Sequence, residues 1–194
     1  ERILPTDLPT FIVPDTRIAY ASTAHYAAGS PTKHLRTIGI SGSYGKTAAT
    51  LLIQRVFQHL GKTAGALSDL CFDNGSDIVD FPEIKPDAKH YANWLGAMVT
   101  NNCQLACIEL NQDDLADHTS SSIELDYAVI TRLSDFQSDS RNTFQQTQQA
   151  TVNSIKSLKP TGVIIINADD AASRFDLPRI KSPILTIGSN DDCD

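Results

Sequence analysis

The chain has 194 residues and a formal net charge of −7, which arises from 16 basic and 23 acidic residues. This length suits one domain, and a content of 41% hydrophobic and 20% charged residues is typical of a globular protein rather than a disordered or fibrous one. The basic residues are scattered, which disfavours nucleic acid as a partner because a phosphate backbone requires clustered lysines and arginines. No run of about 18 apolar residues occurs, so we expect no membrane span.

The first residues and the cysteines predict a cytoplasmic piece of a longer protein. No apolar segment that would act as a secretory signal follows Glu1, and the chain does not begin with Met. The four cysteines, Cys71, Cys103, Cys107 and Cys193, form no CxxC pair and have no neighbouring histidine, so we expect no zinc site. Free thiols of this kind fit a reducing compartment.

The first part of the chain reads as an extended arm, because proline interrupts helices and prolines stand at Pro5, Pro9 and Pro14. Asp15 is a candidate N-cap for a short helix that reaches about Ala28. The segment that follows, from Gly29 to Pro31, should end that helix.

From residue 35 onward, apolar runs that predict strands alternate with helical patterns. The predicted strands are 35–41, 63–68, 105–110, 127–131, 163–166 and 184–187. Helices are predicted over 46–60, from a cap at Asp87, and from a capping box at Thr143 to near Pro160; residues 69–86 read as a loop with a turn at Asp73-Asn74-Gly75. The alternation predicts an α/β fold with a mostly parallel central sheet, in which ligands bind at the carboxyl ends of the strands.

Two of the predicted helices carry an apolar stripe. In the helix over 46–60, Leu52, Val56 and Leu60 recur at intervals of four residues, with Ile53 and Phe57 beside them. In the helix that Asp87 caps, the stripe consists of Ala88, Tyr91, Leu95, Met98 and Val99.

The strongest functional signal is the segment Gly42-Ser43-Tyr44-Gly45-Lys46-Thr47, between a predicted strand and a predicted helix. Glycines allow backbone amides to turn toward a phosphate, and the helix start adds partial positive charge. Lys46 would reach the β- and γ-phosphates, and the Thr47 hydroxyl would bind Mg²⁺. The general GxxxxGK[ST] pattern has glycine where this chain has Ile40, so a glycine-rich turn with a chance GKT is the alternative.

This loop and several segments around it resemble the Mur ligases, most of all the UDP-N-acetylmuramoyl-peptide synthetases of the MurE type. That family carries a G-x-T-G-T-N-G-K-T loop, which also lacks glycine at the position of Ile40. The matching segments follow in collinear order over most of the chain: 13–17, 39–47, 108–109, 128–134, 158–160 and 166–170.

The resemblance implies a three-layer α/β domain of the P-loop NTPase type with a mostly parallel central sheet. Residues 1–34 would be an N-terminal arm and linker, a remnant of an upstream domain. Residues 35–194 would be the central ATP-binding domain, cut short at its C-terminal end. An unrelated P-loop kinase is a further alternative, but it would not explain the collinear match beyond the loop.

The resemblance also implies a reaction in peptidoglycan precursor synthesis. ATP would phosphorylate a UDP-N-acetylmuramoyl-type carboxylate to an acyl phosphate, and an amino acid would then displace phosphate to give an amide; both substrates would bind through domains that are missing here. Lys46 and Glu109 are the implied catalytic residues, and Thr47 and Glu109 are the implied Mg²⁺ ligands.

The resemblance also implies a set of ATP contacts: Gly42, Ser43, Tyr44, Gly45, Lys46, Thr47, Asn167 and Asp170. The simpler alternatives are a solvated strand-end acid at Glu109 and an Asx turn or helix cap at Asn167 and Asp170.

Several family features are absent from the sequence. The substrate-contacting Thr-Thr-Pro is at best Asp80-Phe81-Pro82, the Ser-Ser-His after the catalytic acid is Asn111-Gln112-Asp113, and the Asp-His of the second metal site is Phe136-Gln137. The family's carbamylated lysine should fall near Thr151, whereas the nearest lysine is Lys156. Asp113 or Asp114 could replace a metal ligand, although acids here also favour a helix start. A second hypothesis is therefore a degenerate relative that binds nucleotide without ligating.

Overall fold

The computed structural model describes residues 10–133, 152–153, 155–170 and 181–189. Its strands are β1 Arg36–Ser41, β2 Ala64–Leu67, β3 Cys71–Asp73, β4 Ile78–Asp80, β5 Leu105–Glu109, β6 Leu125–Ile130, β7 Leu158–Asn167 and β8 Ile184–Ile187. Its helices are α1 Thr16–Ala27, α2 Lys46–His59, α3 Ala88–Thr100 and α4 Gln112–Ala116, with a 3-10 turn at Pro31–Lys33.

The strands form one sheet in the order β4-β3-β2-β5-β1-β6-β7-β8. All neighbouring pairs are parallel except β2 with β3 and β3 with β4. Every residue of β5, and every residue of β1 after Arg36, is buried, which explains why these strands read as continuous apolar runs. The predicted α/β fold with a mostly parallel central sheet is confirmed.

Helices cover both faces of the sheet and make it the middle of three layers. On one face, Leu95 and Met98 of α3 belong to a buried cluster with residues of β2, β3, β5 and β6. On the other face, Ile53 and Phe57 of α2 pack against a cluster that contains Ile40. None of the helices in the described ranges combines the length and the apolar character that crossing a membrane requires.

The two predicted helix caps that lie within the described residues, Asp15 and Asp87, are present. The carboxylate of Asp15 accepts hydrogen bonds from the backbone N–H groups of Arg17 and Ile18 at the start of α1. The carboxylate of Asp87 accepts from the backbone N–H of His90 at the start of α3. The stripe predicted for α3 is also correct, since its members are buried apart from Val99, which is half-buried.

The prediction of a loop over 69–86 was wrong, because β3 and β4 form an antiparallel extension of the sheet there. Both strands have only three residues, which is too short for a period-2 pattern to be recognised. The predicted turn is present between them: the side-chain oxygen of Asn74 accepts from the N–H groups of Ser76 and Asp77, and Gly75 has a φ of +87°.

The predicted end of the last helix near Pro160 was also wrong. Residues 152–153 and 155–156 are helical, but β7 begins at Leu158, so that Pro160 lies within a strand. The β6–β7 register shifts between the pairs Leu125–Leu158 and Tyr127–Val163. Pro160 lies in this irregular stretch, where a strand tolerates the missing N–H group. The Thr143 start of this helix lies outside the described residues.

The apolar stripe predicted for α2 does not face the core. Leu52, Val56 and Leu60 are 66%, 49% and 67% exposed, whereas the most buried residues of the helix are Thr50 and Gln54. The Gln54 amide donates to the Ala64 carbonyl oxygen at 3.1 Å and to a carboxylate oxygen of Asp73 at 2.6 Å. Periodicity missed this face because its most buried positions are polar and are satisfied by hydrogen bonds.

We expect Gln54→Leu to lower the free energy of unfolding by about 2–3 kcal/mol, because it removes a hydrogen bond to the buried Asp73 carboxylate. The matched control is Leu52→Gln, two residues away on the exposed side, which should change it by less than about 0.5 kcal/mol. Urea unfolding monitored by circular dichroism measures both. The reverse order of effects would show that the Leu52 face is the buried one.

Candidate functional site

The candidate phosphate-binding loop, residues 42–47, connects the carboxyl end of β1 to the first turn of α2. Gly42 and Gly45 have φ angles of +135° and +81°, which favour glycine. A Cβ atom at Gly42 would overlap the Thr131 hydroxyl and lie 2.8 Å from the carbonyl oxygen of Arg132. Gly45 is the N-cap of α2 and gives the helix no side-chain cap. The helix therefore begins in the way that suits an anion at its N-terminus.

The carboxyl end of β6 holds this loop in place. The backbone N–H of Ser43 donates to the carbonyl oxygen of Arg132 at 2.6 Å. The hydroxyl of Thr131 donates to the carbonyl oxygen of Tyr44 at 2.6 Å. Because β6 pairs with β1 in the sheet, these contacts fix the loop relative to the strand from which it departs.

Glu109 ends β5, on the other side of β1, and its carboxylate faces the start of α2. The Oε1 atom accepts a hydrogen bond from the Thr47 hydroxyl at 2.9 Å and lies 4.0 Å from the Lys46 ammonium nitrogen. The Oε2 atom accepts from the backbone N–H of Asp69 at 3.0 Å. The structure thus brings together Lys46, Thr47 and Glu109, which are 63 residues apart at most in the chain.

Ionisation of the Glu109 carboxyl group costs free energy because the group is buried. Glu109 is 2% exposed, and burial, the largest influence, raises the pKa of its carboxyl group above the ordinary value. The hydrogen bonds from Asp69 and Thr47 and the charge of Lys46 act in the opposite direction on that pKa. A buried acid with a raised pKa favours the arrival of a further cation beside it, because the cation offsets the lost hydration.

The donor set at this point suits Mg²⁺. The Thr47 hydroxyl and the Glu109 carboxylate are oxygen donors in contact with each other, and Mg²⁺ prefers oxygen ligands. The described ranges contain no group of three or more His, Cys, Asp or Glu side chains that could hold a metal ion by themselves. Mg²⁺ is often bound by one or two protein ligands together with water and substrate phosphates, so these residues fit a metal that binds with a nucleotide.

Asn167 is the last residue of β7 and Asp170 follows that strand; β7 lies two strands away from β1. The side-chain oxygen of Asn167 accepts from the backbone N–H of Asp169 at 3.0 Å, which is an Asx turn. A carboxylate oxygen of the buried Asp170 accepts from the backbone N–H of Leu133 at 2.6 Å. The Asx turn of the simpler alternative is therefore present at Asn167, whereas the Asp170 side chain joins two separate segments of the chain. Nucleotide contacts at these two positions stay a prediction.

Sequence reasoning missed a second layer of residues behind Glu109. The Asn111 amide donates to a carboxylate oxygen of Asp69 at 2.6 Å, and Asp69 in turn donates its N–H to Glu109. Asp69 and Asn111 follow the ends of β2 and β5, as Thr131 follows β6. Their positions just after parallel strands were the available signal.

The two acids considered as replacement metal ligands lie in the first turn of α4. Asp113 is exposed. Asp114 is buried, where it accepts a hydrogen bond from the Tyr91 hydroxyl at 3.0 Å and forms an ion pair with Lys85 at 3.2 Å. The Phe136-Gln137 pair, Thr151 and Cys193 lie outside the described residues.

Comparisons with known proteins agree with this geometry. A family model described as Mur ligase middle domain matches residues 40–194. The chain is 25% identical to a UDP-N-acetylmuramoyl-L-alanyl-D-glutamate–2,6-diaminopimelate ligase of Listeria monocytogenes over 100% of this chain and 41% of the relative. It is 26% identical to the ligase of the same name from Bacillus velezensis, again over 100% of this chain and 41% of the relative.

Solved structures share the fold. A structure of a UDP-N-acetylmuramoyl-L-alanyl-D-glutamate–2,6-diaminopimelate ligase aligns with a TM-score of 0.75 at 21% identity, over 95% of this chain and 39% of that one. A Mycobacterium tuberculosis folylpolyglutamate synthase complexed with ADP aligns with a TM-score of 0.68 at 16% identity, over 89% of this chain and 46% of that one.

The fold and the loop define an α/β protein of the P-loop type. The family match, which covers most of the chain, goes further: the chain belongs to the Mur ligase family and corresponds to its middle domain. It spans about two fifths of the length of the curated relatives it matches.

Gly42→Ala should weaken Mg-ATP binding by at least about tenfold, because the added Cβ cannot fit between the loop and the end of β6. Gly61→Ala is the matched control: Gly61 has a φ of +77° but no atom within 4 Å of an added Cβ. The Gly61→Ala variant also places a side chain at a residue with positive φ, at a cost of about 1–2 kcal/mol, but its Cβ atom overlaps no other atom. Calorimetric titration should show normal binding for the control, and equal losses in the two variants would contradict this role of the loop.

Glu109→Gln should keep or raise the free energy of unfolding at neutral pH while weakening the Mg²⁺-dependent part of ATP binding. The Gln oxygen can accept from Asp69, and its amide can donate to Thr47. Because the pKa of Glu109 is raised in the folded chain, the folded state binds the proton more tightly, and stability falls as pH rises from the unfolded toward the folded pKa. The amide of the Glu109→Gln variant does not ionise, so the variant does not lose this stability as pH rises.

Denaturant unfolding at several pH values measures this difference. The gain in Glu109→Gln should disappear at pH values below the ordinary glutamate pKa, where both side chains are neutral. The exposed Glu124→Gln is the control for lost surface charge. A clear loss of stability in Glu109→Gln at neutral pH would mean that the ionised carboxylate stabilises the fold.

Proposed function

We propose that this chain is the ATP-binding central domain of an ATP-dependent amide ligase that acts in peptidoglycan precursor synthesis. The observation that carries the proposal is the meeting of Lys46, Thr47 and Glu109 at one point of the sheet. A lysine, a hydroxyl and a buried carboxylate at the start of a helix are the groups that phosphoryl transfer from a nucleotide requires. The family membership supports the same reading.

In the proposed reaction the chain positions the nucleotide and neutralises charge. The loop amides and the start of α2 bind the phosphates, and Lys46 places its ammonium group against the transferring phosphoryl group. Thr47 and Glu109 would hold Mg²⁺, which when bound neutralises phosphate charge. Asp69, Asn111 and Thr131 do not need to touch the nucleotide, because they fix the positions of Glu109 and the loop.

The substrates of the whole protein follow from its relatives by analogy. The curated relatives are named as ligases that join 2,6-diaminopimelate to UDP-N-acetylmuramoyl-L-alanyl-D-glutamate. We propose an acceptor carboxylate of this type, activated as an acyl phosphate and attacked by an amino acid. Both substrates would bind in part through domains outside this chain.

A second candidate function is nucleotide binding without ligation, and the sequence between Arg141 and Ile155 favours it. That segment contains no lysine, and Gln137 stands where the family has its metal-binding histidine. A protein of this kind would bind Mg-ATP and would serve as a regulatory or binding module. The two functions share the loop and Glu109 and differ in what the bound nucleotide does next.

The proposed nucleotide site is tested by calorimetric titration of Mg-ATP into the chain and into Lys46→Ala. We expect binding that weakens by about 10- to 100-fold in the variant, since a charge-assisted hydrogen bond contributes about 1.5–3 kcal/mol. Lys89→Ala, an exposed lysine on α3, is the control and should bind normally. Equal affinity in Lys46→Ala and the unaltered chain would refute the site.

ATP turnover by the whole protein separates the two candidate functions. A ligase should release phosphate faster when both a muramoyl-peptide carboxylate and an amino acid are present, and this stimulation should be absent in Glu109→Gln. Binding of Mg-ATP without any substrate-dependent turnover would favour the regulatory module.

A further inference from the structure

A cavity of about 770 Å³ lies at the amino-terminal edge of the sheet. Its lining includes the first residues of β1 and β5 and the region around the end of α2, among them Arg36, Leu105, Phe57 and Lys62. The loop at residues 42–47 lies at the opposite ends of β1 and α2. Because α2 has 14 residues, at a rise of 1.5 Å per residue the two ends of this helix are roughly 20 Å apart. This basic cavity is therefore separate from the candidate nucleotide site.

The lining of the basic cavity is strongly cationic in a chain that is acidic overall. Four of the 16 lysines and arginines line it, together with His34. The four are Lys33, Arg36, Lys62 and Lys159. A cleft with one sign of charge on its walls concentrates ions of the opposite sign. The surplus of positive charge thus favours an anionic ligand.

The single acid in the lining, Asp126, does not neutralise this surplus. Its carboxylate accepts from the Lys159 ammonium group at 2.7 Å and from the backbone N–H of Thr37 at 2.9 Å. Lys159 also donates to the carbonyl oxygen of Thr32 at 2.9 Å. Asp126 and Lys159 are half-buried and are held in place by each other. The positive charges of the other cations in the lining therefore remain in excess of its negative charge.

The remaining cations are weakly committed. Arg36 lies 3.6 Å from Asp126 with its side chain 72% exposed, a geometry in which an ion pair contributes little. No ion pair involves Lys33 or Lys62 among the residues that the structure describes. Both lysines are exposed at the rim, where their ammonium groups can turn toward a bound anion.

The floor of the basic cavity is apolar. Leu35, Cys103 and Leu105 are buried side chains of its lining, and Phe57 is half-buried beside them. A volume of about 770 Å³ is within the range of small-molecule sites, roughly 300–1,000 Å³, and exceeds what one phosphate group needs. Apolar surface next to excess cations suits a ligand that carries an apolar or aromatic group as well as negative charge.

We propose that this cavity is a second ligand site, which binds an organic phosphate: the anionic group between Lys33, Lys62 and Arg36, and the organic group against Phe57. The site does not depend on the proposed function, because it shares no residue with the loop or with Glu109. Its ligand and a nucleotide at the loop can bind at the same time.

The anionic half of the proposal is tested with inorganic pyrophosphate as the probe. The titrations use chains that also carry Lys46→Ala, so that the candidate nucleotide site contributes little. We expect binding in Lys46→Ala that weakens at least about tenfold when Lys33→Ala and Lys62→Ala are added. The charge-matched control adds Arg55→Ala and Lys89→Ala, both at exposed positions away from the lining, and should change the affinity less than about twofold. Thermal unfolding checks that all variants are folded.

Two results would overturn the site. Absence of pyrophosphate binding in Lys46→Ala would show that the basic cavity holds no anion. Equal weakening in the two double variants would show that only net charge matters. Loss of nucleotide binding in Lys46→Ala, by contrast, concerns the loop alone.

The organic half is tested by comparing phenyl phosphate with inorganic phosphate in the Lys46→Ala chain. We expect phenyl phosphate to bind at least about threefold more tightly, and we expect Phe57→Leu, which keeps an apolar side chain, to reduce that ratio toward one. Equal affinities for the two probes in the Lys46→Ala chain would overturn the assignment to organic phosphates.

Discussion

The carboxylate of Glu109 is buried where three segments meet: the end of β5, the start of α2 and the turn after β2. Its two oxygens accept one hydrogen bond from Thr47 and one from the backbone of Asp69, and Lys46 lies 4.0 Å away. These partners do not fully offset the loss of hydration, since burial still raises the pKa of the group. A further cation beside this acid would offset the lost hydration, which supports the proposed role of the site in binding a metal together with a nucleotide.

The position of β1 in the sheet explains why the loop, Glu109 and Thr131 lie close together. β1 lies between β5 and β6; β5 ends with Glu109, and the residues just after β6 are Thr131 and Arg132, which hold the loop. Parallel strands put all of these residues at one edge. The other ends of β1, β5 and α2 line the basic cavity. The same elements therefore connect two candidate sites for anionic ligands, which lie at opposite ends of the strands.

Much of this arrangement could be predicted from the sequence. Continuous apolar runs indicated β1 and β5. The glycines, lysine and threonine of the loop between β1 and α2 indicated a phosphate-binding site. The short strands β3 and β4 could not be recognised from three residues each, and the buried face of α2 was hidden because Thr50 and Gln54 occupy it. The hydrogen bond from Thr131 to the loop and the Asp69–Asn111 contact depend on the order of the strands in the sheet. A local sequence pattern does not contain that order. Asn167 forms an Asx turn and Asp170 accepts from the backbone of Leu133, so resemblance alone still supports their predicted nucleotide contacts.

The most direct test of the central claim is a crystal structure of the chain with a non-hydrolysable ATP analogue and Mn²⁺, in which anomalous scattering locates the metal. We expect one Mn²⁺ between the analogue's phosphates, the Thr47 hydroxyl and the Glu109 carboxylate, with Lys46 against the terminal phosphate. A metal located elsewhere, with the Thr47–Glu109 hydrogen bond intact, would contradict the central claim.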